Sequence, residues 1–203
     1  MKKIITFIIL SSVCNILFPQ DQNSNTPFQR DSRLGLYFNL GRCLPIHFEK
    51  SDVGYTGKES YSFEFNYLKS FSKHINIEIG FSYSTYKVRV EPISLPGRPE
   101  PHIESINTLS IPILYDIFSK KLFHFGFGTV IDFSLPHNSY SQSGFGFLLN
   151  FGKEFPIDRF TIDVSPNLGF HSLIPFKSEN TSHVMSHVMI QYGIKIGINY
   201  NLK

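Results

Sequence analysis

The sequence predicts an all-β fold, an eight-stranded antiparallel up-and-down transmembrane β-barrel. Three observations predict it. Eight segments alternate between large apolar residues and small or polar ones, the two-residue period of a strand with unlike faces. The connections between them alternate as well, long after strands one, three, five and seven and tight after two, four and six. The face opposite the greasy one carries mid-strand charge, as Glu78 does within Ile75 to Ser84, which suits a polar interior behind a lipid-facing wall.

In chain order, residues 1–20 read as a secretory signal peptide: Met1-Lys2-Lys3 precedes an apolar run from Ile4 to Leu17. That run is shorter than the ~20 residues a membrane-spanning helix needs. Cys14 lies inside it, which leaves Cys43 as the one cysteine beyond the signal and excludes an intramolecular disulfide. Residues 21–32 (DQNSNTPFQRDS) form a polar, flexible leader, and residues 33–203 a single barrel domain.

Strand one, Arg33 to Leu44, sets Leu34, Leu36, Phe38 and Leu40 against Gly35, Tyr37, Asn39 and Gly41. A long loop from Pro45 to Glu59 follows. Strand two turns Tyr61, Phe63, Phe65 and Tyr67 outward and Ser62, Glu64 and Asn66 inward, then turns tightly at Lys69 to His74. Strand three has Ile75, Ile77, Ile79, Phe81 and Tyr83 outside and runs on to Val90. Four prolines make Glu91 to Glu104 a second long loop, because proline cannot donate to a ladder.

Strand four, Ser105 to Phe118, alternates Leu109, Ile111, Ile113 and Tyr115 with Ser110, Pro112, Leu114 and Asp116. Strand five has Phe123, Phe125, Phe127, Ile131 and Phe133 outward and His124, Gly126, Gly128 and Asp132 inward. After a loop from Pro136 to Ser143, strand six sets Phe145, Phe147, Leu149 and Phe151 against glycines and Asn150. Strand seven sets Phe160, Ile162 and Val164 against Thr161, Asp163 and Ser165. Beyond a loop from Pro175 to Ser182, strand eight has Val188, Ile190, Tyr192, Ile194, Ile196, Ile198 and Tyr200 outward and Gln191, Gly193, Lys195 and Gly197 inward.

A soluble eight-stranded barrel with its greasy face inward is the competing reading. So many Phe, Tyr and Ile side chains would overfill a cylinder of that size, whereas Gly, Ser, Asn and Thr fit. With the greasy face outward, Ile77, Ile79, Phe81, Phe125, Phe127, Phe147, Ile194 and Ile196 touch lipid. The interior then holds a polar network of Glu64, Glu78, Asp116, Asp132, Asp163, Lys195 and His124. Buried charges must pair, and Lys195 is the counter-ion that Glu64 and Glu78 on neighbouring strands can share.

Without Lys2 and Lys3 the chain has 17 basic and 16 acidic side chains, which gives no electrostatic reason to expect nucleic acid as a partner. Ser182, His183, Ser186, His187 and Glu179 near the fourth loop, and His137 and Ser139 in the third, supply the residue types of a hydrolase, but no motif fixes them. His183 and His187 in a strand would stand ~13 Å apart, beyond one metal's reach. No cofactor or metal is expected.

The stretch Asn107-Thr108-Leu109-Ser110-Ile111-Pro112-Ile113-Leu114-Tyr115, with Gly126-Phe127-Gly128 and Phe145-Gly146-Phe147, resembles the PorT-like outer-membrane barrel family of Bacteroidota, often called porin-family proteins. The resemblance covers Arg33 to the C-terminus. It implies an outer-membrane location, with membrane lipid and the barrel-assembly machinery as partners, and a protein partner at the loops or the periplasmic face. Lys195-x-Gly197-x-x-Tyr200-x-Leu202 looks like the C-terminal signal of barrel-assembly substrates, although Lys203 follows it. A scaffold or interaction protein, secretion-associated as in that family, is the expected function. The alternatives are a narrow porin-like channel and a lipid A-modifying hydrolase or transferase.

Overall fold

A computed structural model describes residues 32–47, 53–72, 74–92, 100–119, 122–135, 143–176 and 187–202. The segments expected to be a signal peptide and a leader, up to residue 31, and Ser182, His183, Ser186, Glu179, His137 and Ser139 lie outside the described residues, as does the side chain of His187. Eight strands follow one another: β1 Ser32–His47, β2 Val53–Ser72, β3 Ile75–Pro92, β4 His102–Phe118, β5 Phe123–Ser134, β6 Gly144–Ile157, β7 Phe160–Pro175 and β8 His187–Leu202. Each pairs antiparallel with the next, and β8 pairs back onto β1 from Ser32↔Leu202 to His47↔His187, closing the barrel.

The stagger of the wall follows from the register. Crossing from Arg33 through Leu68, Glu78, Leu114, Gly128, Leu148, Gly169 and Gln191 returns to β1 at Cys43, ten residues beyond the start. For eight strands that stagger tilts them by roughly 40° to the axis. On β2 the outward charges Lys69 and Glu59 bracket Tyr67, Phe65, Phe63 and Tyr61. Ten residues at ~3.3 Å each, tilted so, span about 25 Å, the height of a membrane barrel's apolar band. β1 and β3 repeat the pattern, with apolar outer residues from Leu34 to Leu40 before Arg42 and from Ile75 to Tyr83 before Lys87.

The outside of this band is greasy. Leu36, Phe38, Phe63, Phe65, Ile79, Phe81, Phe125, Phe151, Ile194 and Ile196 are all exposed, Phe81 by 68%. In water so large an apolar surface would be an aggregation site; against acyl chains it is the stable surface. The inside is polar, with Asn66, Glu78, Asp116, Asp132, Lys195 and Asn199 all buried.

Two prolines sit in mid-strand without breaking the wall. The β3–β4 pairing runs to Ile79↔Ile113 and resumes at Ser82↔Ser110, passing over Pro112. The β6–β7 pairing lapses likewise between Asn150↔Asn167 and Lys153↔Val164, beside Pro166. Each gap falls where the missing N–H would have donated.

Three sequence expectations need correction. The loop expected from Pro45 to Glu59 is mostly strand, since β1 continues to His47 and β2 begins at Val53. The next loop narrows as well, because β3 reaches Pro92 and β4 starts at His102. Above the bilayer both faces of a strand can be polar, so the alternation that marks strands fades while the hydrogen-bond ladder continues. Val188, expected to face outward, is buried at 3% exposure.

Candidate functional site

The polar interior is built in tiers, because inward positions on neighbouring strands come level at successive heights of the staggered wall. At the tight-turn end, Arg33 donates to Glu154 at 2.8 Å, with its guanidinium 5.9 Å from the Phe118 ring centroid. Next come Asp116, Asp163 and His124, which line one small cavity together. His124 Nε2 stands 3.4 Å from Asp163 Oδ2, and Ser165 donates to Asp163.

Lys195 occupies the middle. Its ammonium lies 2.9 Å from Glu64 Oε2 and 2.9 Å from Glu78 Oε1, and 4.2 Å from the Tyr37 ring centroid. Asn66 donates to both glutamates, and Tyr37 donates its hydroxyl to Asn199 at 2.7 Å. Space for Tyr37 comes from Gly197: a side chain there would run into the ring.

Asp132 is the hub of the next tier. It accepts from Ser110 Oγ at 2.7 Å and from the Ser172 N–H at 2.8 Å, and pairs with His171 Nδ1 at 3.1 Å. The other His171 nitrogen faces Gln191 Oε1 at 3.1 Å, so both ring nitrogens meet acceptors. Above this the lumen turns apolar, where Cys43, Tyr86, Val88, Ile106 and Met189 pack together. Outside the wall at the loop end, Glu104 accepts from His102 and raises its imidazole above the usual histidine range.

All seven residues assigned to the interior from sequence are buried inside the barrel: Glu64, Glu78, Asp116, Asp132, Asp163, Lys195 and His124. Lys195 meets Glu64 and Glu78; Asp132 pairs with His171 instead. The residues assigned to lipid, Ile77, Ile79, Phe81, Phe125, Phe127, Phe147, Ile194 and Ile196, lie on the outer face, with Ile77 and Phe127 half-buried. Of the assembly-signal positions, Tyr200 faces out beside Phe160 and Leu202 pairs with Ser32 at the seam. Sequence reading did not single out Arg33, Glu154, His171 or Tyr86. Arg33 and Glu154 continue the inward phase of their strands by one step, a signal that was there to extend.

The lumen is filled. Among the described residues, a cavity of about 20 Å³, room for about one water, is bounded by Ser110, Leu148, His171 and Lys195 among others. No group of three or more His, Cys, Asp or Glu residues among the described residues is placed to hold a metal ion.

No protein-family model and no curated protein sequence matches the chain. Solved structures do. OprG from Pseudomonas aeruginosa, an outer membrane protein, superposes with a TM-score of 0.51 at 12% identity, covering 86% of this chain and 97% of that one. This chain has the fold of a small outer-membrane barrel. Neisserial surface protein A is similar over 85% of this chain and 97% of its own, at 10% identity and a TM-score of 0.47. The outer membrane protein AlkL is similar over 92% and 96%, at 16% identity and a TM-score of 0.45. Identities this low speak to the fold alone. The fold shared with OprG and the exposed apolar band place the chain in the outer membrane.

Proposed function

We propose that this barrel is an outer-membrane scaffold or interaction protein, acting through its surface loops or through partner contacts. The observation that carries the reading is the filled lumen. A cavity of about 20 Å³ passes no hydrated solute, and among the described residues the tier above it is packed with Cys43, Tyr86, Val88, Ile106 and Met189. A rigid closed wall leaves the connections as the accessible part of the molecule, where binding residues usually sit. The narrower form of the reading, secretion-associated as in PorT-like proteins, draws its support from the Asn107 to Tyr115 motif. Co-isolation of partners from the native outer membrane tests the reading directly. A stable partner that is lost when residues 135–143 are replaced by a short glycine linker supports it. Steady conductance in planar bilayers would favour the porin-like channel. A change in lipid A mass that depends on the protein would favour the enzyme.

A further inference from the structure

Lys153 is a cation on the lipid-facing side of the wall. It lies on β6 between the outward residues Phe151 and Phe155, pairs across with Phe123 at the start of β5, and follows the outward phase that buries its neighbour Glu154 against Arg33. Its ammonium stands 5.1 Å from the ring centroid of Phe123 and 5.1 Å from that of Phe155. Phe123 and Phe151 stack beside it, ring centroids 6.3 Å apart and planes 15° from parallel. The buried ion pairs of the described residues form inside the barrel, on Arg33, His124, His171 and Lys195.

Two rings attract the ammonium through their faces but accept no strong hydrogen bond, so its N–H donors still call for an anion. Its depth decides which anion. Phe123 is the first residue of β5, so Lys153 lies at the tight-turn rim, where the apolar band ends and a lysine stem reaches the headgroups. The charge that a bilayer brings to that depth is a lipid phosphate, and the stacked Phe123 and Phe151 rings offer an apolar wall for the acyl chain below it.

We propose that Lys153, clamped between Phe123 and Phe155, is a binding site for an anionic phospholipid of the leaflet at the tight-turn end. The inference rests on the transmembrane reading of the barrel and adds a specific lipid contact to it. Lys69, also a rim cation on the outer face of β2, has no such ring clamp among the described contacts and serves as the comparison.

The test is native mass spectrometry of the full chain in detergent, titrated with phosphatidylglycerol or with phosphatidylcholine of the same acyl chains. The wild type should retain phosphatidylglycerol severalfold better than phosphatidylcholine. Lys153→Gln should lose that preference, Lys153→Arg should keep it, Phe123→Leu should weaken it, and Lys69→Gln should leave it unchanged. Equal retention by wild type and Lys153→Gln would overturn the site. So would an equal loss in Lys69→Gln, which would mean that any rim cation serves. Heat-modifiable migration of each variant after folding into vesicles reports separately whether the barrel itself is membrane-inserted.

Discussion

Lys195 is the residue on which the middle tier of the interior depends. One ammonium serves two buried carboxylates, each at 2.9 Å, so Lys195→Met would strand both inside a closed wall. Breaking a buried pair in this way costs roughly 3–5 kcal/mol, read as a lower urea midpoint for unfolding in micelles. Adding Glu64→Gln and Glu78→Gln should recover most of that loss, because no charge is then left unpaired. A loss that persists in the triple variant would mean that Lys195 acts through packing against Tyr37. Gly197→Leu probes the same tier sterically. It displaces the Tyr37 ring and should cost roughly 1–3 kcal/mol by overpacking. Gly128 is constrained differently: a side chain there would meet the Ile113 backbone of β4 rather than the lumen.

At the scale of the strand, the outer face of β3 carries the membrane contact. Ile79 lies well inside the apolar run that ends at Lys87, so Ile79→Arg should lower stability by roughly 2–4 kcal/mol in vesicles. Lys87, the partly exposed cation at the end of that run, should tolerate Arg far better under the same urea titration. Within the bilayer these strands were legible from sequence, because two solvents as unlike as lipid and a polar lumen impose the two-residue period. Beyond it the period lapses, so β2 from Val53 to Glu59 read as loop although its ladder continues. The interior was legible to the same extent. Glu64, Glu78 and Lys195 sit in regular phase, and their meeting followed from strand adjacency. His171 continues the inward phase of β7 one step beyond Gly169, whereas Ser172 breaks it: Ser172 adopts a positive φ of 54° where the β6–β7 register slips between Phe145 and Phe147. A bulge of this kind turns two successive residues inward, and no period announces it.

The whole molecule is a closed cylinder with a greasy outside, a tiered polar inside and an apolar layer toward the loop end. In that state it should give no steady conductance in planar bilayers. The inverted distribution of polarity can be tested residue by residue. In a background with Cys14 and Cys43 replaced by alanine, single cysteines across Ile75 to Ser84 can be challenged with a lipid-soluble thiol label in reconstituted vesicles. Labelling at Ile75, Ile77, Ile79, Phe81 and Tyr83, with protection at Asn76, Glu78, Gly80, Ser82 and Ser84, is the predicted result. Labelling confined to the even positions would contradict it and turn the barrel inside out.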